Sequence, residues 1–290
     1  MKALIVFSLF IISACQHSQK TLDINEPSVS EKYESPPATS EVEDSIQSIK
    51  PQIEKLKLGI ILGPGGGRTI AQVGVLKRLH EKNIPLVGIV GIEWGAVVGG
   101  LYSQKNSANE AEWQLSKIRK DKFIDQSDII EMLEPMQAYL QASKVESGRL
   151  LFSCPSLNIK KSQVFFLARG RLDQLLPYCL AYPPVTKVYD WSLAGVREIQ
   201  RAADFLRSRG ANRVILVNVL NGLPLQDPVN WHELAFDMKK KWVGVDHRLD
   251  IVIEQKSIRD YKRQTELVQL GYEQSSEMVE MLDKLKQESP

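Results

Sequence analysis

The chain has 290 residues, 43% hydrophobic and 25% charged, with 37 Lys and Arg against 35 Asp and Glu. That length suits one large folded domain with appendages. A formal net charge of +2 lacks the basic excess of a nucleic-acid-binding protein, and a cluster such as Lys239-Lys240-Lys241 reads as a solvated face.

At the N-terminus, Lys2 precedes an apolar run from Ala3 to Ile12, followed by Ser13-Ala14-Cys15. The run is too short to span a bilayer and has the form of a secretory leader. Ile12-Ser13-Ala14-Cys15 resembles a bacterial lipobox. The resemblance implies that residues 1–14 are a signal peptide and that Cys15 becomes the lipidated first residue of the mature protein. Gln16 stands where retention in an inner membrane favours Asp, which implies an outer-membrane anchor facing the periplasm. Residues 15–50 are rich in Ser, Glu and Thr, carry Pro27, Pro36 and Pro37, and lack apolar periodicity. They read as a disordered tether to a domain at 51–290. Export places Cys154 and Cys179 in an oxidising compartment, where they either pair or remain two buried thiols. His80, His232 and His247 are dispersed, without zinc-ligand spacing. No metal and no cofactor is expected.

From Lys55 the pattern alternates between two periods. KLKLGIIL, ending at Leu62, is a buried strand, and the glycine loop GPGGGRT follows it. Ile70, Val73, Leu76 and Leu79 then mark one face of a helix. IPLVGIVG, ending at Gly91, is the next strand, and a turn and a helix with Gly95, Ala96, Gly99 and Gly100 follow. Residues 106 to about 145 read as mostly helical. SQVFFLARG reads as a strand and turn, AADFLRSRGAN as a helix, RVILVNVL as a buried strand and LDIVIEQ as a last strand. A long amphipathic helix is expected from Ile258 to Gln287. Alternating strands and helices predict an α/β fold, a mostly parallel sheet covered on both faces.

The glycine loop fails two phosphate-binding patterns at defining positions. A dinucleotide fingerprint starting at Gly63 needs glycine at 68, where Arg68 stands. A phosphate loop ending at Gly67-Arg68-Thr69 needs glycine at 62 and lysine at 68, and finds Leu62 and Arg68. A plain glycine-rich turn and an oxyanion hole remain. Successive glycines let backbone N–H groups converge on one oxygen.

Gly91-Ile92-Glu93-Trp94-Gly95 has the G-x-x-x-G form of a nucleophile elbow, a sharp strand-to-helix turn that lifts one side chain. Loop and elbow together resemble the start of a patatin-like phospholipase domain, with the similarity running from about residue 56 to 285. The resemblance implies a three-layer α/β/α fold. It places Gly65, Gly66, Gly67 and Arg68 at the oxyanion hole and Gly91 and Gly95 at the elbow. Thr69 departs from the glycine usual after the Arg. Downstream, VYDWS resembles the family's D-G-G segment, with Asp190 at the aspartate of the Ser–Asp dyad and Trp191-Ser192 in place of two glycines.

Glu93 occupies the nucleophile position and has no hydroxyl to activate. Removing a serine nucleophile in a related class costs about a million-fold in turnover, roughly 8 kcal/mol of barrier. Glu93 and Asp190 are expected side by side, sharing a proton, or else the loop N–H groups hold the Glu93 carboxylate. Trp94 and Trp191 add bulk at the mouth. Three readings stand at this point. One is a membrane-anchored pseudoenzyme binding a phospholipid, a fatty-acyl group or a protein partner. Another is a hydrolase with altered chemistry using Glu93 and Asp190. The third is an envelope structural lipoprotein.

Overall fold

The computed structural model describes residues 55–118, 127–261 and 264–288. The expected leader, the expected lipidation at Cys15, the expected tether and the domain boundary drawn at residue 51 lie outside the described residues. In chain order the elements are β1 (Leu58–Leu62), α1 (Ala71–Glu81), β2 (Leu86–Gly91), α2 (Trp94–Lys105), α3 (Ala108–Ser116), α4 (Ile129–Leu133), α5 (Gln137–Ala142), β3 (Leu151–Asn158) and β4 (Gln163–Leu167). They continue as α6 (Leu172–Leu180), β5 (Ser192–Ala194), α7 (Ile199–Ser208), β6 (Arg213–Asn221), α8 (Val229–Met238), β7 (His247–Val252), α9 (Gln264–Gln274) and α10 (Ser276–Glu288). A 3-10 turn at Gly66–Ile70 leads into α1.

The strands form one sheet in the order β4-β3-β2-β1-β6-β7, with β5 also pairing β3. β1, β2, β6 and β7 run parallel, and β3 starts parallel to β2. Along β1 the side chains alternate. Leu58, Ile60 and Leu62 enter one core with residues of α1, α2 and α3, and Ile61 enters a second with residues of α7 and α8. The architecture is thus helix, sheet, helix. Every residue of β1 is buried, as a strand covered on both faces requires. From Trp94 to Ser103, α2 is buried as well, which its run of Gly, Ala and Val allows.

Register positions the site. Leu62 pairs with Gly91 on one side and Val217 on the other. The glycine loop after β1 and the elbow after β2 therefore leave the sheet side by side, at its carboxyl edge, where open parallel sheets place their ligands.

β3, α6, β5 and α8 lie in stretches to which the sequence reading assigns no element, and the C-terminal helix differs from its expected form. β3 carries Pro155 inside it. It is a strand because Pro155 falls where β3 exchanges one partner for another. β2 pairs with it up to Ser153, and β5 from Ser156. A missing N–H is tolerated at such a switch. The long C-terminal helix is two helices, α9 and α10, with Ser275 between them. Residues 258–261 are not helical at all and lie against the glycine loop. Cys154 of β3 and Cys179 of α6 form a disulfide. Among the described residues no helix is long and apolar enough to cross a membrane.

α9 packs on α1 at glycine-to-backbone distance. A Cβ at Gly74 would lie 1.9 Å from the Val268 carbonyl oxygen, and one at Gly271 would lie 1.8 Å from that of Ala71. Backbone on both sides leaves no flexible atom to yield. Gly74→Ala and Gly271→Ala should each destabilise the protein by about 1–3 kcal/mol or more through overpacking, read as a lowered midpoint in urea unfolding.

Candidate functional site

Glu93 follows β2 with φ 54° and ψ −129°, a left-handed conformation that few non-glycine residues adopt and that clusters at functional sites. Hydrogen bonds from Ile92 N–H to Leu62 O (2.9 Å) and from Gly95 N–H to Ile92 O (3.0 Å) lock the turn. Gly95 is required by crowding, since a Cβ there would lie 2.4 Å from the Leu62 carbonyl oxygen. Gly91 is required likewise, with Ala96 Cα 2.4 Å from its would-be Cβ.

The turn aims the Glu93 side chain into the glycine loop. One carboxylate oxygen accepts the N–H of Gly65 at 3.1 Å and of Gly66 at 2.9 Å. Glu93 is 1% exposed. Burial pushes its carboxyl from 4.5 up to about 7, while the backbone N–H groups of Trp94, Gly66 and Gly65 act in the opposite sense. The loop thus holds an anion above about pH 7 and a neutral acid below it.

Arg68 does not face Glu93. Its guanidinium is buried and donates to the carbonyls of Val219 (2.7 Å), Lys256 (2.6 Å), Gly222 (3.4 Å) and Asn221. Burial lowers its pKa to about 10, with Asp227 opposing the shift. It clamps the loop to the end of β6. Gly67 N–H donates to Ile258 O at 2.7 Å, and Cβ atoms at Gly66 and Gly67 would strike the carbonyl oxygens of Ile258 and Asp260 at 2.4 and 2.5 Å. The 256–260 segment is held in turn by Asp227, which accepts from Ser257 Oγ, Ile258 N–H (3.2 Å) and Arg259 (3.4 Å). Thr69 lies inside the 3-10 turn, its hydroxyl donating to Gly66 O at 2.8 Å.

The family model for patatin-like phospholipases matches residues 60–207, just over half the chain. The chain belongs to the patatin-like phospholipase family. It is similar to an NTE family protein of Mycobacterium tuberculosis, 25% identical over 138 residues, covering 44% of this chain and 38% of that one. It is also similar to the lysophospholipase nte1 of Aspergillus niger, 27% identical over 184 residues, covering 56% of this chain and 12% of that one. The chain therefore spans well under half the length of either relative. Among solved structures, VipD from Legionella pneumophila is similar with a TM-score of 0.49 and 11% identity, over 79% of this chain and 67% of that one.

In this patatin-like domain the matched span holds Glu93 and Asp190 but does not join them. Asp190 is exposed, at φ 40° beside Trp191 at φ 57°. The two form the tip of a tight turn closed by Tyr189 and Ser192. The Asp190 carboxylate accepts from the Tyr178 hydroxyl at 3.2 Å, and no hydrogen bond or ion pair joins it to Glu93. The expected shared proton is therefore corrected: desolvation, not a second carboxylate, raises Glu93. Trp94 is buried, with its ring 6.3 Å from Tyr261. Trp191 is exposed at the turn, with Lys160 over its ring.

The sequence reading missed one part of the patatin-like site. The Ile258–Asp260 wall behind the glycine loop lies in a stretch whose composition suits a helix, and it carries no local sequence signal, since it reaches the site only through the fold.

Burial without compensating charge makes Glu93 a pH-dependent load on stability. Its folded pKa lies above its unfolded one, so the folded state binds the extra proton and stability falls as pH rises from about 4.5 through about 7. Glu93→Gln keeps an acceptor for the loop and removes the titration. At pH 8 it should be more stable than wild type by on the order of 3 kcal/mol, and the difference should shrink towards pH 5 in urea unfolding. A constant difference across that range would exclude this role.

Proposed function

We propose that this chain is an envelope lipoprotein whose patatin-like domain has lost acyl-hydrolase chemistry and serves as a lipid- or partner-binding pseudoenzyme. The single observation that carries the reading is the Glu93 carboxylate on the N–H groups of Gly65 and Gly66. In an acyl hydrolase those donors stabilise an oxyanion that exists only in the transition state. Here the protein's own carboxylate occupies them. With Glu in place of the family's serine at the elbow, no hydroxyl is available to attack an ester.

The altered-hydrolase reading needs Glu93 open to substrate, as nucleophile or as base to a water. At 1% exposure, with its carboxylate turned inward, the side chain offers neither. Asp190, at its exposed turn, is not placed to help. A lipid ligand class is favoured by the family and by the lysophospholipase activity named for the Aspergillus relative. Lipidation at Cys15 and an outer-membrane location rest on the lipobox resemblance and place the domain beside lipid without inserting it.

Purified wild-type protein should resist labelling by fluorophosphonate probes and release no fatty acid from phospholipid or lysophospholipid. Glu93→Ser should remain at the same background, because Asp190, the dyad position, stands on an exposed turn bonded to Tyr178 and does not pair with residue 93. Fatty-acid release by wild type that is abolished in Glu93→Ala would overturn the proposal.

A further inference from the structure

One end of the molecule carries apolar side chains on two adjoining turns. The first joins β3 to β4 and presents Ile159, with Phe165 of β4 beside it, 39% and 41% exposed. The second precedes β5 and presents Val188 and Trp191, 46% and 55% exposed. The turns are tied together, because Ile159 N–H donates to Trp191 O at 2.8 Å and Asn158 pairs with Ser192. Exposed large apolar groups gain nothing from burial in the fold, and clustered ones mark an interaction surface.

Charge distinguishes what the surface suits. Lys160 lies over the Trp191 ring at 4.5 Å and Lys161 over the Phe165 ring at 5.9 Å. Lys187 adjoins Val188 in the chain and Arg169 lines a groove with Phe165. All four cations are exposed, and none makes an ion pair among the described residues. The acids near them are Asp190, bonded to Tyr178, and Glu146, which accepts from Gly170 N–H and faces Arg169 without an ion pair. Beside Phe165 the surface continues inward as a groove of about 290 Å³ whose walls include Leu167, Leu175 and Tyr178. The other exposed apolar stripe, Val229 and Phe236 of α8, differs: Glu233 and Asp237 lie on the same helix and pair with Arg197 and Lys240, so its charges are mixed.

We propose that the 159–165 turn and the Asp190–Trp191 turn form a docking surface for an anionic phospholipid bilayer. Trp191 at the turn tip enters the interfacial region, where an apolar ring with a polar N–H is favoured, and Ile159 and Phe165 add apolar area beside it. The lysines extend past them on their alkyl stems to the head groups. Each cation near an anionic surface contributes about 1 kcal/mol, so the unpaired set makes the attraction selective for negative lipid. The docking does not require lipid on Cys15. It stands or falls separately from the loss of hydrolase chemistry, because no residue of the surface belongs to the Glu93 site.

The test uses the full chain carrying Cys15→Ala, co-sedimented with vesicles of phosphatidylcholine alone or mixed with phosphatidylglycerol. The parent should pellet preferentially with the mixed vesicles. Lys160→Glu/Lys161→Glu should bind them at least about tenfold more weakly, and Trp191→Ser should weaken binding while leaving the melting temperature unchanged. The apolar leader is common to all these proteins, so differences among them report the folded surface. No preference of the parent for anionic vesicles overturns the proposal. So does undiminished binding by both variants.

Discussion

A buried carboxylate has to be solvated by something, and in this protein the solvent is a glycine loop. Glu93 is walled off from water, and two backbone N–H groups of that loop take water's place. Much of the surrounding structure serves that arrangement. The elbow holds its central residue at a positive φ. Gly91 and Gly95 admit backbone where a Cβ would collide. Arg68 secures the loop from behind by bonding four carbonyls. The N–H groups do not fully replace water, because the carboxyl still titrates near neutrality rather than near 4.5. Desolvation exceeds what a few amide dipoles return.

That balance bears on chemistry. A hole built from N–H groups stabilises whichever oxygen anion reaches it, and its catalytic worth depends on the anion being transient. On the proposed reading a permanent resident removes the distinction between ground and transition state, so the same dipoles contribute to the fold and not to a rate. Arg68 shows a similar division. Its charge is spent on carbonyl oxygens at the end of β6, and its contribution to the site is the shape of the loop.

The two regions of interest are separate. The Glu93 site lies at the carboxyl edge of β1 and β2, closed by the 256–260 segment. The basic aromatic surface is built by the β3–β4–β5 extension, where the sheet turns antiparallel. No side chain is shared between the two regions.

What the sequence determined by itself was local. Buried runs with glycine punctuation specified β1, α1, β2, α2, α7 and β6 and the α/β class, because periodicity and turn chemistry act between near neighbours. The small residues around Glu93 specified the elbow. Tertiary structure decided the rest. Asp190, in a stretch that resembles the family's dyad segment, stands on an exposed turn because the chain there forms a hairpin tip instead of running into the site. β3 is a strand despite Pro155 because its partners change at that position. Residues 258–261 pack on the glycine loop although their composition suits a helix. That the Glu93 carboxylate meets Gly65 and Gly66 was one of two arrangements open to the sequence. The choice was made by the parallel register of β1 and β2, which brings together backbone groups 27 and 28 residues apart in the chain.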